Sequence, residues 1–273
     1  MNAPVGSTIR LVASDLDGTL FGPDGTVSSR TAETLRAVAA AGVEIVVATG
    51  RSHWSAVPRL EHVGCLRWLI CSNGATVYDL EAGGVVVHRP LTGAQVSEVV
   101  DGLRDRFPTV GFAWESPEGV FHTDRWVVNR AATDARFEAK PRPTRDLRVG
   151  EDTVLKLMIA HDELTEYAWL DAVAADVPVG LSTSTSGAAF VEITAADANK
   201  GDALRLLCAD VGIDRTETIA FGDHANDLGM LAWVGVGYAM ANAGPRVREI
   251  ADATAPHHAD DGVARVLAGL VLG

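Results

Sequence analysis

The sequence predicts an α/β protein: a doubly wound, parallel-sheet core interrupted by an inserted α+β module. Three observations carry that expectation. First, the apolar runs Ile9–Ala13, Val43–Ala48 and Thr218–Phe221 read as strands buried on both faces, since little polar alternation breaks them. Second, a helical pattern stands between the first two runs, and strand–helix–strand implies a crossover to a parallel neighbour. Third, from Val85 to about Ile193 this rhythm gives way to hairpin-like signals with interspersed helices, the texture of an α+β module.

Composition bounds the rest. The 273 residues suffice for one large or two moderate cores, and 47% apolar with 22% charged residues is a globular composition. A formal net charge of −13 argues against a phosphate-backbone-binding surface, so nucleic acid is not expected as a partner. Neither a basic-then-apolar N-terminus nor an apolar run long enough to span a bilayer is present; the expectation is a cytoplasmic protein without a membrane partner. Cys65, Cys71 and Cys208 form no CxxC pair and read as buried reduced thiols.

Taken in order, the first strand runs into Ser14-Asp15-Leu16-Asp17-Gly18-Thr19-Leu20. On an extended segment residues i and i+2 point the same way, so Asp15 and Asp17 are expected to converge while Leu16 enters the core. Two close carboxylates are costly without a cation or a shared proton, and a divalent metal such as Mg²⁺ suits oxygen ligands. A polar turn ending a strand is the plainer alternative for this stretch alone. Ser28 is positioned to cap a helix carrying Leu35, Val38 and Ala39, with Gly42 after its end. The second strand leads into Thr49-Gly50-Arg51-Ser52, at the end of the sheet where ligands bind in doubly wound folds. Its hydroxyl and glycine can meet a phosphate, or Thr49 or Ser52 can cap a helix; Arg51 can meet substrate or pair on the surface. Trp68–Cys71 is a third strand, Ser72-Asn73-Gly74 a turn, and Ala75–Tyr78 its hairpin return.

Within the module, Val96, Val99, Val100 and Leu103 mark a helix, and Val110–Trp114 with Gly119–Thr123 a strand pair. Leu155–Ile159 is a further strand, Leu164 to Val173 a second helix, and Val179–Thr183 with Phe190–Ile193 a closing pair around Ser186-Gly187. Asn199 then caps a helix with Ala203, Leu204, Leu207 and Val211 on its buried face. Lys200 sits in its first turn, against the helix dipole, in a chain whose only other lysines are Lys140 and Lys156; an anion ahead of the helix would justify it. Thr218–Phe221 leads into Gly222-Asp223-His224-Ala225-Asn226-Asp227, where Asp223 and Asp227 again call for a cation or serve as caps of a helix at Leu228–Leu231. Val234–Tyr238 is a strand, a helix runs through Val247 and Ile250, and the last helix follows Val263. His257, His258 and Asp260 lack a regular ligand spacing and read as a solvated loop.

Together these stretches resemble the haloacid dehalogenase superfamily. Asp-x-Asp-Gly-Thr-Leu is similar to its first motif, Val-Ala-Thr-Gly-Arg to its second, Asn-Lys-Gly-Asp-Ala-Leu to its third, and Gly-Asp-x-x-Asn-Asp to the fourth motif of Cof-like members, whose Ser-Asn-Gly-Ala loop also borders the site. The resemblance implies a Rossmann-like core over 1–83 and 194–273 and a type-II cap, the specificity domain, over 84–193. It implies a Mg²⁺-dependent phosphohydrolase for a small phosphorylated metabolite, sugar phosphates among the candidates. Asp15 would be the nucleophile, Asp17 the general acid/base, and Lys200 and Thr49 would bind the phosphate. Asp15, Asp17, Asp223 and Asp227 would serve the metal, with Leu16, Gly18, Gly50, Arg51, Asn73, Gly74 and Asn226 around the phosphate. His224 carries no catalytic role in this reading. The cap would close over the substrate, with Trp114, Glu115, His122 and Thr183 as cap residues that could line the site. A phosphomutase of the same superfamily is the alternative, since Arg125, Arg130, Arg136, Arg142, Arg145 and Arg148 crowd the module and a mutase needs extra phosphate ligands. A phosphate-binding module without turnover is the third reading. Oligomeric state is not encoded in any pattern found here.

Overall fold

The computed structural model describes residues 8–123, 126, 147, 148, 150–160, 166–186 and 190–271. Lys140, Leu164, Gly187 and the arginines at 125, 130, 136, 142 and 145 lie outside them. The chain divides into two compact units, Met1–Val87 with Asn199–Gly273, and His88–Ala198.

The first unit is built on β1 (Leu11–Ser14), β2 (Glu44–Ala48), β3 (Trp68–Cys71), β4 (Thr76–Asp79), β5 (Gly84–His88), β11 (Thr218–Gly222), β12 (Val236–Met240) and β13 (Ala253–Ala255). Their order across the sheet is β13-β12-β11-β1-β2-β3-β4-β5. β1 pairs in parallel with β2 on one side and β11 on the other, and β4 returns antiparallel to β3 as the Asn-Gly turn predicts. The period of two divides each central strand between two cores. Val12, Ile45, Val47, Leu69, Ile219 and Phe221 pack with Leu35 and Val38 of α1 (Ser29–Ala40), Ala56 and Leu60 of α2 (His53–Leu60), and Val263 and Leu267 of α8 (Gly262–Leu270). Leu11, Ala13, Val46, Ala48, Ile70 and Ala220 face the opposite layer, made by α5 (Lys200–Val211), α6 (Leu228–Trp233) and α7 (Pro245–Ile250). Helices on both faces explain why these strands read as continuous apolar runs. Local signals agree with the packing: the Ser28 hydroxyl accepts from Thr31 N at 3.0 Å and caps α1. α2, β5 and β13 are elements the sequence reading did not delimit.

The second unit holds an antiparallel sheet in the order β7-β6-β8-β10-β9, from β6 (Gly111–Ser116), β7 (Gly119–His122), β8 (Lys156–Ala160), β9 (Leu181–Ser184) and β10 (Val191–Ala195). α3 (Gly93–Arg106) buries Val96, Val99, Val100 and Leu103, and α4 (Glu166–Ala174) is tied down by Trp169, whose indole N–H donates to Ile159 O at 2.9 Å. The register places Phe112, Trp114, Leu157, Ile159, Val191 and Ile193 on one face. The other face carries Glu115, Lys156 and Glu192, all buried, with Lys156 Nζ 2.7 Å from Glu192 Oε1 and 3.5 Å from Glu115 Oε2.

Candidate active site

The site is assembled at the carboxyl ends of β1 and β11. Asp15 follows β1, and its N–H extends the parallel ladder by donating to Phe221 O at 3.0 Å. The chain then turns through Leu16–Leu20, closed by Leu20 N to Asp15 O at 3.2 Å and Phe21 N to Leu16 O at 2.8 Å. Gly18 makes that turn possible twice over: its φ is +82°, and a Cβ there would stand 2.3 Å from Asp223 Oδ2.

Lys200 is fully buried at the start of α5, after Asn199, whose side chain accepts from Asp202 N at 2.9 Å. Its Nζ donates to Asp15 Oδ1 at 2.6 Å and to Asp227 Oδ1 at 2.7 Å. The anion expected ahead of this lysine is therefore the pair of carboxylates themselves. Asp227 uses its other oxygen to accept from the backbone N–H groups of Asp223 and His224, at 2.9 and 3.0 Å. Asp223 accepts at Oδ1 from the Thr19 hydroxyl at 2.9 Å, and His224 Nδ1 lies 3.1 Å from its Oδ2. Asp15, Asp223 and Asp227 each offer one oxygen within 4.8 Å of the others.

The electrostatics follow from that crowding. Burial lifts the Asp15 carboxyl well above its ordinary value; Lys200 pulls it down, and Asp227, Asp223 and Asp17 push it up again. Burial alone would lower the Lys200 ammonium, but the Asp15 and Asp227 carboxylates outweigh it and hold the group above its ordinary range. Three buried carboxylates around one ammonium leave excess negative charge, and an all-oxygen donor set of this kind fits a hard divalent cation.

Asp17 stands near enough to push the Asp15 carboxyl up, and it has a partner of its own. Arg51 takes Asp17 in a two-toothed grip, Nε to Oδ2 and Nη2 to Oδ1, both at 2.7 Å. The acids gathered with Asp15 are Asp223 and Asp227, from the far end of the chain. Arg51 thus pairs with a site carboxylate rather than with a surface acid. The remaining sequence-selected residues form the neighbouring loops. Thr49 is buried; its hydroxyl accepts from Arg51 N at 3.1 Å and its carbonyl from Asn73 N at 3.0 Å. Ser72 N donates to Arg51 O at 2.8 Å, so Gly50 and Arg51 are laced to the Ser72–Gly74 turn. Asn73, at φ +57°, accepts from Asn226 Nδ2 at 3.0 Å, which ties the loop after β3 to the loop after β11. Gly74 lies against the backbone of Asn199, where a Cβ would meet its carbonyl oxygen at 2.4 Å. Two residues escaped the sequence reading, Thr19 and Asn242; Asn242 Nδ2 donates to Gly18 O at 2.7 Å and lies 3.3 Å from Asp223 Oδ2. Thr19 was visible beside the acids. Asn242 had no such local signal.

A parallel sheet with helices on both faces and an acid–lysine cluster at the strand ends defines an α/β enzyme. Residues 12–267 match the family described as haloacid dehalogenase-like hydrolase, so the chain belongs to that family and is a hydrolase. It is 29% identical over 269 residues to the putative phosphatase YxeH of Bacillus subtilis, covering 96% of this chain and 98% of that one. It is 27% identical to the pyridoxal phosphate phosphatase YbhA of Escherichia coli, with 95% and 98% covered. A solved phosphatase of the haloalkanoate superfamily from Bacteroides thetaiotaomicron superposes with a TM-score of 0.80 at 25% identity, over 98% of this chain and 97% of the other. Among the described residues no helix is long and apolar enough to cross a membrane.

Proposed function

We propose that this hydrolase is a Mg²⁺-dependent phosphatase for small phosphorylated metabolites, working through a phosphoaspartate on Asp15. The observation that carries the reading is the fully buried Lys200 ammonium, 2.6 Å from Asp15 and 2.7 Å from Asp227, with Asp223 in the same cluster. A phosphate monoester dianion cannot approach a carboxylate nucleophile unless the site supplies positive charge first. Lys200 supplies part of it. Mg²⁺, held by the carboxylates of Asp15 and Asp223 and the carbonyl of Asp17, with Asp227 alongside, would supply the rest as a Lewis acid.

Lys200 holds Asp15 with one oxygen engaged, leaving the other for in-line attack on phosphorus. The Asp15 Oδ–P bond forms as the P–O bond to the leaving alcohol breaks, and Asp17 gives that alcohol its proton. Asp17 then removes a proton from water as the water attacks phosphorus, breaking the bond to Asp15 and releasing phosphate. Thr49, Asn226 and the backbone N–H groups of Leu16, Gly18 and Gly50 suit the phosphate oxygens, with Asn73 and Gly74 shaping the adjoining loop. Arg51 is the group suited to exchange its grip on Asp17 for substrate phosphate, which frees Asp17 for proton transfer.

Pyridoxal phosphate, in the name of the Escherichia coli relative, and sugar phosphates both fall within this substrate class. Substrate choice is assigned to the unit 84–193, delimited as His88–Ala198 by its packing, because every residue given a catalytic task above belongs to the other unit. Among the described residues Arg148 is the one of the six module arginines in view, and it pairs with Glu151 at 3.0 Å on the surface. The test is phosphate release from p-nitrophenyl phosphate with Mg²⁺. Asp15→Asn is expected to lose on the order of 10⁴-fold in turnover. Parent and variant that are equally inert would end the reading.

A further inference from the structure

Asp223 joins the cluster with Asp15 and Asp227 from the end of β11, and three side chains hold its carboxylate. Thr19 donates to Oδ1, while His224 Nδ1 and Asn242 Nδ2 lie against Oδ2, at 3.1 and 3.3 Å. Asn242 differs from the other two. The same Nδ2 donates to Gly18 O at 2.7 Å, so one amide ties the carboxylate to the backbone of the acidic turn. A Cβ at Gly18 would stand 2.3 Å from the same Asp223 Oδ2, so the carboxylate packs where a side chain on the turn would be.

The amide is itself anchored. It follows β12, whose register with β11 sets Ala239 beside Gly222, one residue before Asp223. Its Oδ1 accepts from His258 N at 3.3 Å, and His258 Nδ1 lies 2.8 Å from Phe21 O, where the acidic turn ends. Three residues on, Asp261 Oδ1 accepts from the hydroxyls of Ser28 and Thr31, at 2.6 and 3.1 Å, at the start of α1. The segment 257–261 therefore braces both ends of the chain between the acidic turn and α1, and Asn242 carries that brace to the metal-side carboxylate. His258 thereby gains a structural task in a stretch that the sequence suggested as a solvated loop.

We propose that Asn242 is a positioning residue: it locks the Asp223 carboxylate to the Gly18 peptide and so sets the affinity of the acid cluster for Mg²⁺ without touching substrate. The proposal rests on the Mg²⁺ reading above. Loss of an outer hydrogen-bond partner of a metal-ligating group typically costs about 10–100-fold in metal affinity.

The experiment is calorimetric titration of MgCl₂ into the metal-stripped full chain, for the parent, Asn242→Ala and Asn242→Ser. Each variant is expected to bind Mg²⁺ about 10–100-fold more weakly. Its KM for p-nitrophenyl phosphate at saturating Mg²⁺ is expected to stay at the parent's value, and its unfolding midpoint in EDTA to fall by only a few degrees as the bonds to Gly18 O and His258 N are lost. Variants that bind Mg²⁺ as the parent does overturn the proposal while leaving the phosphatase reading intact. A KM that rises in step with the loss of affinity, or a variant that fails to fold even with Mg²⁺, also overturns it, since Asn242 is then a substrate contact or a structural residue. A parent that binds no Mg²⁺ and releases no phosphate instead sinks the reading on which the proposal stands.

Discussion

Each unit of this protein buries a lysine between two carboxylates. In the sheet-and-helix unit Lys200 lies between Asp15 and Asp227; in the antiparallel unit Lys156, 3% exposed, lies between Glu192 and Glu115. In both, burial alone would lower the ammonium and the paired acids raise it instead. The surroundings separate them. Glu115 and Lys156 are cross-strand partners within regular ladders, and Glu192 comes from the adjoining strand. Around Lys200 the acids stand where strands end, on turns opened by Gly18 and Gly222, and a third acid, Asp223, joins them. A buried lysine held by acids is thus no evidence of chemistry by itself. Excess negative charge at strand ends, where backbone N–H groups and loops can reach a ligand, is what sets apart the cluster proposed to react.

The sharpest way to break this comparison is to remove each lysine in turn. Lys200→Met is expected to lower kcat/KM for p-nitrophenyl phosphate by about 10³-fold, since it deletes the charge opposite Asp15, the proposed nucleophile. Lys156→Met is expected to leave that reaction near the parent's rate while costing about 3–5 kcal/mol of stability, the usual penalty for stranding buried charges. Denaturant unfolding and steady-state rates on both variants read the two effects. Equal losses of rate would erase the distinction.

A smaller effect sharpens the point about excess charge. Asp15 has its carboxyl raised by burial, and by Asp227, Asp223 and Asp17 beyond what Lys200 relieves. A group whose folded value lies above its unfolded one lends stability that is complete below the unfolded value, here 3.8, and is lost as pH rises through the folded value. In EDTA, Asp15→Asn is therefore expected to unfold at a higher temperature than the parent at neutral pH. The gap should close as pH falls towards 3.8, where the parent's carboxyl is protonated. Thermal unfolding across that range measures it; a gap that widens in acid would reverse the assigned sign.

Much of this was legible in the sequence because it is local. The central strands are continuous apolar runs, Ser28 and Asn199 are cap residues where caps are needed, and Asp15, Lys200 and Asp223 each follow or open an element. Ends moved by a residue or two, as with Ile9–Ala13 against Leu11–Ser14. α2 carries Pro58 in its last turn and was not delimited, and β13 is a three-residue strand of alanine and threonine at the sheet edge, too short to show a pattern. The partners were harder than the elements. Asp17 and Arg51 are thirty-four residues apart, and Asn242 and Gly18 are separated by 224; no periodicity links such pairs, and only the strand order brings them together.

The central claim is that Asp15 becomes phosphorylated within the Lys200 cluster. Its most direct measurement is acid quenching during turnover with Mg²⁺, followed by mass analysis of the peptide that contains Asp15. The account predicts a phosphoryl adduct on Asp15 in the parent, lost on treatment with hydroxylamine, and no adduct in Asp15→Asn. An adduct on another residue, or steady turnover by Asp15→Asn, would contradict it.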